Sequence, residues 1–188
     1  MSTLPAPRHA RWALEDAANP TVLRLHVDTP LTDETIVTVP PADAAEPVRR
    51  LLEIEAIRSL DLHRYRVRLN LRPGADRSDA SGHATEVLTA AWGAPASLPA
   101  DAGPRAFAFP TAGDRARRVA ESPAMAAGTP PLEAVFAVDG VSEAVLGDGL
   151  VLVRLGRLFA WAEAEGPVAA ALQDVTAAGT PGSISPPS

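Results

Sequence analysis

Apolar and polar residues alternate with two periods along this chain, and the alternation locates its elements. Thr21–Val27 alternates strictly: Val22, Arg24 and His26 share one face, and Leu23, Leu25 and Val27 share the other, as in a strand. Thr35–Val39 is a second β-rich run, expected to be its hairpin partner. Ala44–Leu52 carries Val48, Leu51 and Leu52 at helical spacing. Pro47 is tolerated only in a first turn, so this helix is expected to start near Ala45 or Glu46. Ile57–Leu60 reads as a short strand. Tyr65–Leu71 is the clearest strand, with Tyr65, Val67, Leu69 and Leu71 facing a core and Arg64, Arg66 and Arg68 facing away. Ser78–Trp92 reads as a helix capped by Ser78 or Asp79. Arg11–Ala18 fits either a short helix or an added strand.

The same order returns 84 positions later. Pro20–Leu25 aligns with Pro104–Phe109, and Pro47–Ile54 aligns with Pro131–Val138. The pairs Ile57/Val141, Leu62/Leu146, Val67/Val151, Leu69/Val153, Leu71/Leu155 and Leu88/Leu172 all keep their apolar character. Such self-similarity marks one structural unit used twice. In the second unit Phe107 and Phe109 mark the first strand, and Arg115–Ala120 is expected to be helical. Pro131–Ala137 is a helix, and Val141–Val145 and Leu150–Leu155 are strands joined by a tight turn at Gly147-Asp148-Gly149. Phe159–Thr176 is the closing helix. The expected fold class is α+β: two tandem two-layer sandwiches, each a small antiparallel sheet covered by helices, related by a pseudo-two-fold. The first repeat spans 11–93, the linker 94–103 and the second repeat 104–178. Residues 179–188, rich in Gly, Pro and Ser, are expected to form a disordered tail. Trp92 and Trp161 are expected in core or inter-repeat packing.

Composition narrows the function classes. Apolar residues make up 46% of the 188, which fits a globular chain. Lysine is absent, so all 17 basic residues are Arg, and the net charge is −6. Residues 1–94 hold 11 Arg against 13 acids, and 95–188 hold 6 against 10, so neither half has the basic excess of a nucleic-acid binder. With no cysteine there is no disulfide and no thiolate to hold a metal or an iron–sulfur cluster. No apolar run approaches a membrane span and no signal-peptide core follows Met1, so a cytoplasmic location is expected.

Two stretches resemble one known family. Pro130-Pro131-Leu132, the helix ending in Val135-Phe136, the step Asp139-Gly140-Val141 and the turn glycine Gly147 leading into Val151-Leu-Val153 are similar to the N-terminal domain of the Nfu/NifU-type iron–sulfur scaffold proteins. Asn19-Pro20-Thr-Val-Leu-Arg-Leu25 resembles that family's Asn-Pro start. The first unit departs from the pattern at Ala56 and His63, where glycines are expected. The resemblance implies a non-enzymatic adaptor or accessory factor in iron–sulfur cluster assembly, acting through protein partners of that machinery. It implies iron only by association, since the family's cluster sits on a Cys-x-x-Cys domain that is not present here.

Three groups of residues offer chemistry. Arg64, Arg66 and Arg68 project from one strand face, with Arg72 just beyond and Arg24 on a neighbouring strand; Arg grips carboxylates and phosphates through paired hydrogen bonds. The alternative function is therefore a binding module for an acidic protein or a phosphate ligand, unrelated to iron–sulfur chemistry. Asp79 and His83 are one helical turn apart and present a carboxylate and an imidazole suited to a divalent metal, or else an ordinary helix start beside a surface histidine. His26 has no evident partner in the sequence. None of the common nucleophile, P-loop, dinucleotide or zinc-hydrolase motifs occurs, so no enzyme is expected.

Overall fold

A computed structural model of the chain describes residues 10–34, 37–38, 46–101, 103–110 and 117–179. It is an α+β structure with two antiparallel sheets, each backed by helices. The first sheet holds β1 (Trp12–Asp16), β2 (Val22–Val27), β3 (Val37–Thr38), β4 (Ile57–His63) and β5 (Arg66–Leu71), in the order β1-β2-β5-β4-β3. Two helices, α1 (Val48–Leu51) and α2 (Arg77–Trp92), belong to the same unit. The second sheet holds β6 (Arg105–Ala108), β7 (Arg118–Ala120), β8 (Val141–Gly147) and β9 (Leu150–Leu155), in the order β6-β9-β8-β7. Its helices are α3 (Pro123–Ala126), α4 (Pro130–Phe136) and α5 (Trp161–Gly179).

Each sheet is polar or exposed on one face and apolar on the other. In the first unit Leu23, Leu25, Val27, Leu60, Leu62, Val67 and Leu69 pack against Leu51 and the Ala80/Ala84/Leu88 stripe of α2. In the second, Val151, Val153 and Leu155 pack against Leu132, Val135 and Phe136 of α4 and Trp161, Val168 and Leu172 of α5. Burial on this scale, at about 25 cal/mol per Å² of apolar surface, holds helices and sheet together. Both buried indoles reach the connecting segment: Trp12 Nε1 donates to the Gly93 carbonyl at 2.9 Å, and Trp161 Nε1 to that of Gly103 at 2.7 Å.

The 84-residue offset recurs in the elements. Strands β4 and β8 span 57–63 and 141–147, β5 and β9 span 66–71 and 150–155, and α2 and α5 start at 77 and 161. Even the strand irregularity recurs, at Ile57/Ser59 and at Val141/Glu143. The first sheet has one strand more, β1, laid against β2.

Several expectations need correcting. The run at 35–39 does not form a hairpin with β2; its described part, Val37–Thr38, pairs with β4 at the opposite edge of the sheet. The helix expected from Ala44 is described from Val48, with Pro47 as N-cap; Ala44 and Ala45 lie outside the described residues. The α2 cap is Asp76, whose Oδ1 accepts the Ser78 and Asp79 N–H groups, because a side chain at the last extended residue reaches the first free amides. The segment expected as a helix up to Ala120 ends in the edge strand β7 (Arg118–Ala120), held by pairing with β8. Gly179 still belongs to α5, and 180–188 lie outside the described residues.

The two units meet through the β4–β5 turn. His63 pairs with Arg66, so Arg64 and Tyr65 form the tip. That tip inserts into the second unit. Arg64 Nη1 donates to the Phe136 carbonyl at 3.1 Å, and the Tyr65 hydroxyl accepts the Gly140 N–H at 3.1 Å. The Tyr65 ring meets Phe159 edge-on at 4.9 Å. A two-fold relation would require the reciprocal contact, of Asp148–Gly149 against Leu52 and Ala56. No backbone hydrogen bond of that kind occurs among the described residues, and a Cβ added at Gly149 meets no atom within 4 Å, so the hydrogen bonds do not confirm a two-fold relation.

Candidate functional site

Strand pairing places the functional side chains. On the solvent face of the first sheet, Arg24 on β2 is the direct partner of Arg68 on β5, and His26 is the partner of Arg66. On the other side of β5, Arg68 faces Asp61 and Arg66 faces His63. Two guanidiniums thus stand opposite each other, with a third two residues along, an arrangement that costs stability in a sheet without a counter-charge. Arg66 and Arg68 form no ion pair among the described residues.

This face borders the second unit, and the two enclose a cleft of about 340 Å³. Glu15, Arg24, His26, Arg66 and the His63–Tyr65 turn line it from the first unit; Glu121, Glu143, Arg154 and Arg157 line it from the second. A smaller hollow of about 290 Å³ shares Arg24, His63 and Arg66 with the cleft and is lined in addition by Asp61 and Arg68. Leu150 and Leu152, on the same face of β9 as Arg154, extend it as exposed apolar surface.

Glu15 organises one wall. Its Oε2 accepts from His26 Nε2 at 2.9 Å and lies 3.8 Å from Arg24 Nη1, while its Oε1 accepts from Arg157 Nη2 at 3.2 Å. Burial works against this carboxylate, but the His26 hydrogen bond and the neighbouring cations outweigh it and hold its pKa below the ordinary range. His26, only 3% exposed, is pushed down from the usual histidine value chiefly by burial, against the pull of Glu15. His63 falls to about 4, first through burial and then through the charge of Arg66. Arg66 Nη2 sits 3.2 Å from both His63 ring nitrogens. Arg66 itself is shifted down by burial and by Arg24, although its charge is retained at any ordinary pH. On the opposite wall Arg154 Nε is 3.2 Å from Glu143 Oε2.

Of the five arginines singled out by pattern, the structure therefore brings together Arg24, Arg66 and Arg68. Arg64 borders the same cleft from the two-residue turn rather than from the strand face: it is 9% exposed, between the rings of Tyr65 and Phe136, and its Nε–H has no hydrogen-bond partner among the described residues. Arg72 lies beyond β5, where its Nε donates to the Glu55 carbonyl, away from the cleft. Asp79 and His83 are both exposed on α2, and no cluster of three or more metal-binding side chains occurs among the described residues. Asn19 is a turn former, its Oδ1 accepting from the Thr21 N–H and hydroxyl, with Pro20 inside that turn. Pro131, Leu132, Phe136 and Val141 are buried in the second core, Gly140 receives the Tyr65 tip, and Gly147 ends β8 before the turn.

Sequence reasoning missed Glu15, Glu143, Arg154 and Arg157. Arg154 alone had a signal, since it takes the outward position in the alternation of Leu150–Leu155. Among the described residues, no helix is long and apolar enough to cross a membrane. Compared with models of known families, with curated proteins and with solved structures, the chain matches none.

Proposed function

We propose that this chain is a non-enzymatic binding module whose inter-sheet cleft takes an organic anion, a phosphate or carboxylate group carried on a small molecule or on an acidic protein segment. The observation that carries this reading is the opposition of Arg24 and Arg68 across β2 and β5, with Arg66 beside them and no carboxylate paired to Arg66 or Arg68 among the described ion pairs. Glu15 lies 3.8 Å from Arg24, Asp61 faces Arg68 across the strands, and Glu121 and Glu143 act on Arg66, so the protein offsets part of the repulsion and an added anion offsets more. Arg154 and Arg157 offer further donors from the facing wall. The exposed leucines beside Arg154 suit an apolar portion of the same ligand.

The test is calorimetric titration of the full chain with inorganic phosphate, citrate and an acidic peptide. Saturable binding of at least one, weakened about tenfold or more in an Arg66→Gln, Arg68→Gln double variant, is the expected result. An absence of saturable binding, or binding indifferent to the double substitution, rejects the reading.

A second reading rests on the Nfu/NifU-like residues: an accessory role in iron–sulfur assembly through protein contact. What supports it is that Leu132, Phe136, Gly140 and Val141, which carry the resemblance, form the helix-to-strand step of the second unit. Affinity capture from native cells that enriches a cluster scaffold or a cysteine desulfurase supports it, and capture lacking such proteins rejects it.

A further inference from the structure

The site that receives Tyr65 has a counterpart in the first unit, and among the described residues only the second-unit copy is filled. In the second unit Tyr65 touches three positions: Gly140 through the hydrogen bond, Phe159 through the ring contact, and Gly156, where an added Cβ would stand 2.9 Å from the tyrosine Cβ. The 84-residue offset carries these to Ala56, Ala75 and Arg72. All three line a groove of about 680 Å³ in the first unit, between the end of α1 and the start of α2.

Three backbone hydrogen bonds recur around the two sites, although Gly140 sits at φ +88° and Ala56 does not adopt a positive φ. Gly156 N donates to Gly140 O at 2.8 Å, and Arg72 N donates to Ala56 O at 2.9 Å. Val141 N–Val138 O corresponds to Ile57 N–Ile54 O, and Phe159 N–Gly156 O corresponds to Ala75 N–Arg72 O. The socket framework is thus conserved within the chain while its contents differ. The walls differ as well. Arg72 stands where Gly156 is, so the floor is shallower; Ala75 stands where Phe159 is, so the α2 side is wider.

The charge of the groove limits what fills it. Glu53, Glu55, Asp76, Asp79 and Glu86 face it, against Arg50 and Arg72, and none of these residues forms an ion pair among the described residues. In the filled copy the tip that enters is an Arg followed by a Tyr. From the shared framework and the acidic rim, we infer that the first-unit groove is a docking site for a protein partner's turn that presents a basic residue next to an aromatic one. The aromatic ring enters between Ala56 and Ala75, and the cation meets the carboxylates of the rim, where in the filled copy Arg64 meets the Phe136 carbonyl and ring.

The probe is a disulfide-cyclised peptide reproducing residues 60–69 of this chain, titrated into the isotopically labelled full-length protein. Saturable shift changes at residues 53–56 and 72–87 are expected. Affinity should drop about tenfold or more in a Glu55→Arg, Glu86→Arg variant of unchanged melting temperature, and likewise when the peptide's tyrosine is replaced by alanine. Changes confined to residues 136–159 would mean that the peptide only competes for the filled socket, and would overturn the inference. So would unchanged affinity in the charge-reversed variant. Sedimentation showing that the groove variant abolishes self-association, with no peptide binding, would assign the groove to a second copy and likewise overturn it.

Discussion

Tyr65 and Gly156 approach so closely that a Cβ on the glycine would stand 2.9 Å from the Cβ of the tyrosine. The two units are therefore fitted at this point rather than loosely tethered. Gly156→Ala forces the tip outward and should destabilise the protein by about 1–3 kcal/mol, as overpacking does. Urea unfolding followed by tryptophan fluorescence measures it.

Tyr65→Phe keeps the ring and removes the hydroxyl that accepts the Gly140 N–H. A buried amide left without an acceptor costs about 1–3 kcal/mol. Gly140→Ala should be worse: Gly140 sits at φ +88°, and its added Cβ would fall 2.5 Å from Phe159 Cδ1. If Tyr65→Phe leaves the urea midpoint unchanged, the hydroxyl contact is not a stabilising one.

Arg68→Gln relieves the opposition with Arg24. Without ligand and at low salt, stability should rise by roughly 0.5 kcal/mol while phosphate binding falls. A melting temperature that drops instead would show that Arg68 is held by carboxylates rather than left for a ligand.

Acid should weaken the fold in a defined window. His63 has a folded pKa of about 4 against 6.5 for an ordinary histidine, so between those values the unfolded chain takes up a proton that the folded chain refuses. The stabilisation is complete above 6.5 and is lost as pH falls toward 4. His26 is shifted the same way, and Glu15, held below 4.5, loses its contribution as pH falls further. Sulfate, an anion whose charge is constant over this range, would favour the protonated histidines if it enters the cleft, so its affinity should strengthen as pH falls below 6.5, and His63→Gln should flatten both profiles. Chemical unfolding and titration at stepped pH test this.

Asp76→Ala removes both hydrogen bonds at the start of α2 and should cost about 1 kcal/mol, whereas Ser78→Ala should cost little. A loss on Ser78→Ala larger than that on Asp76→Ala would place the cap at Ser78.

Strands with one apolar face were legible from pattern alone: Leu23, Leu25 and Val27 on β2, Val67, Leu69 and Leu71 on β5, and their counterparts on β9 all face their cores. Pattern failed where structure depends on distant partners. Alternation runs unbroken through Arg64 and Tyr65, since neither residue signals a turn; the Asp148-Gly149 tip, at φ 52° and 72°, does. The position of β3 at the far edge of the sheet is a non-local choice, and a run next in sequence to β2 carries no sign of it. The three residues of β7 are too few for a period and are strand only because β8 pairs with them. The cleft draws on residues 15, 24, 66, 154 and 157, which no spacing connects. Its arginine face was readable on β5, but its depth and second wall were not.

The two hairpin tips have different requirements during synthesis. Asp148-Gly149 closes with its own backbone preferences and needs nothing beyond its strands. Arg64-Tyr65 lacks those preferences: Val27 and Leu31 hold its backbone carbonyls, but its side chains take their contacts from Phe136, Gly140 and Phe159, which leave the ribosome more than seventy residues later. Until then an arginine and a tyrosine that end up buried stand in water at the end of an otherwise finished sheet. The amino-terminal half is therefore made first but completed last, and its final step waits on the carboxy-terminal half.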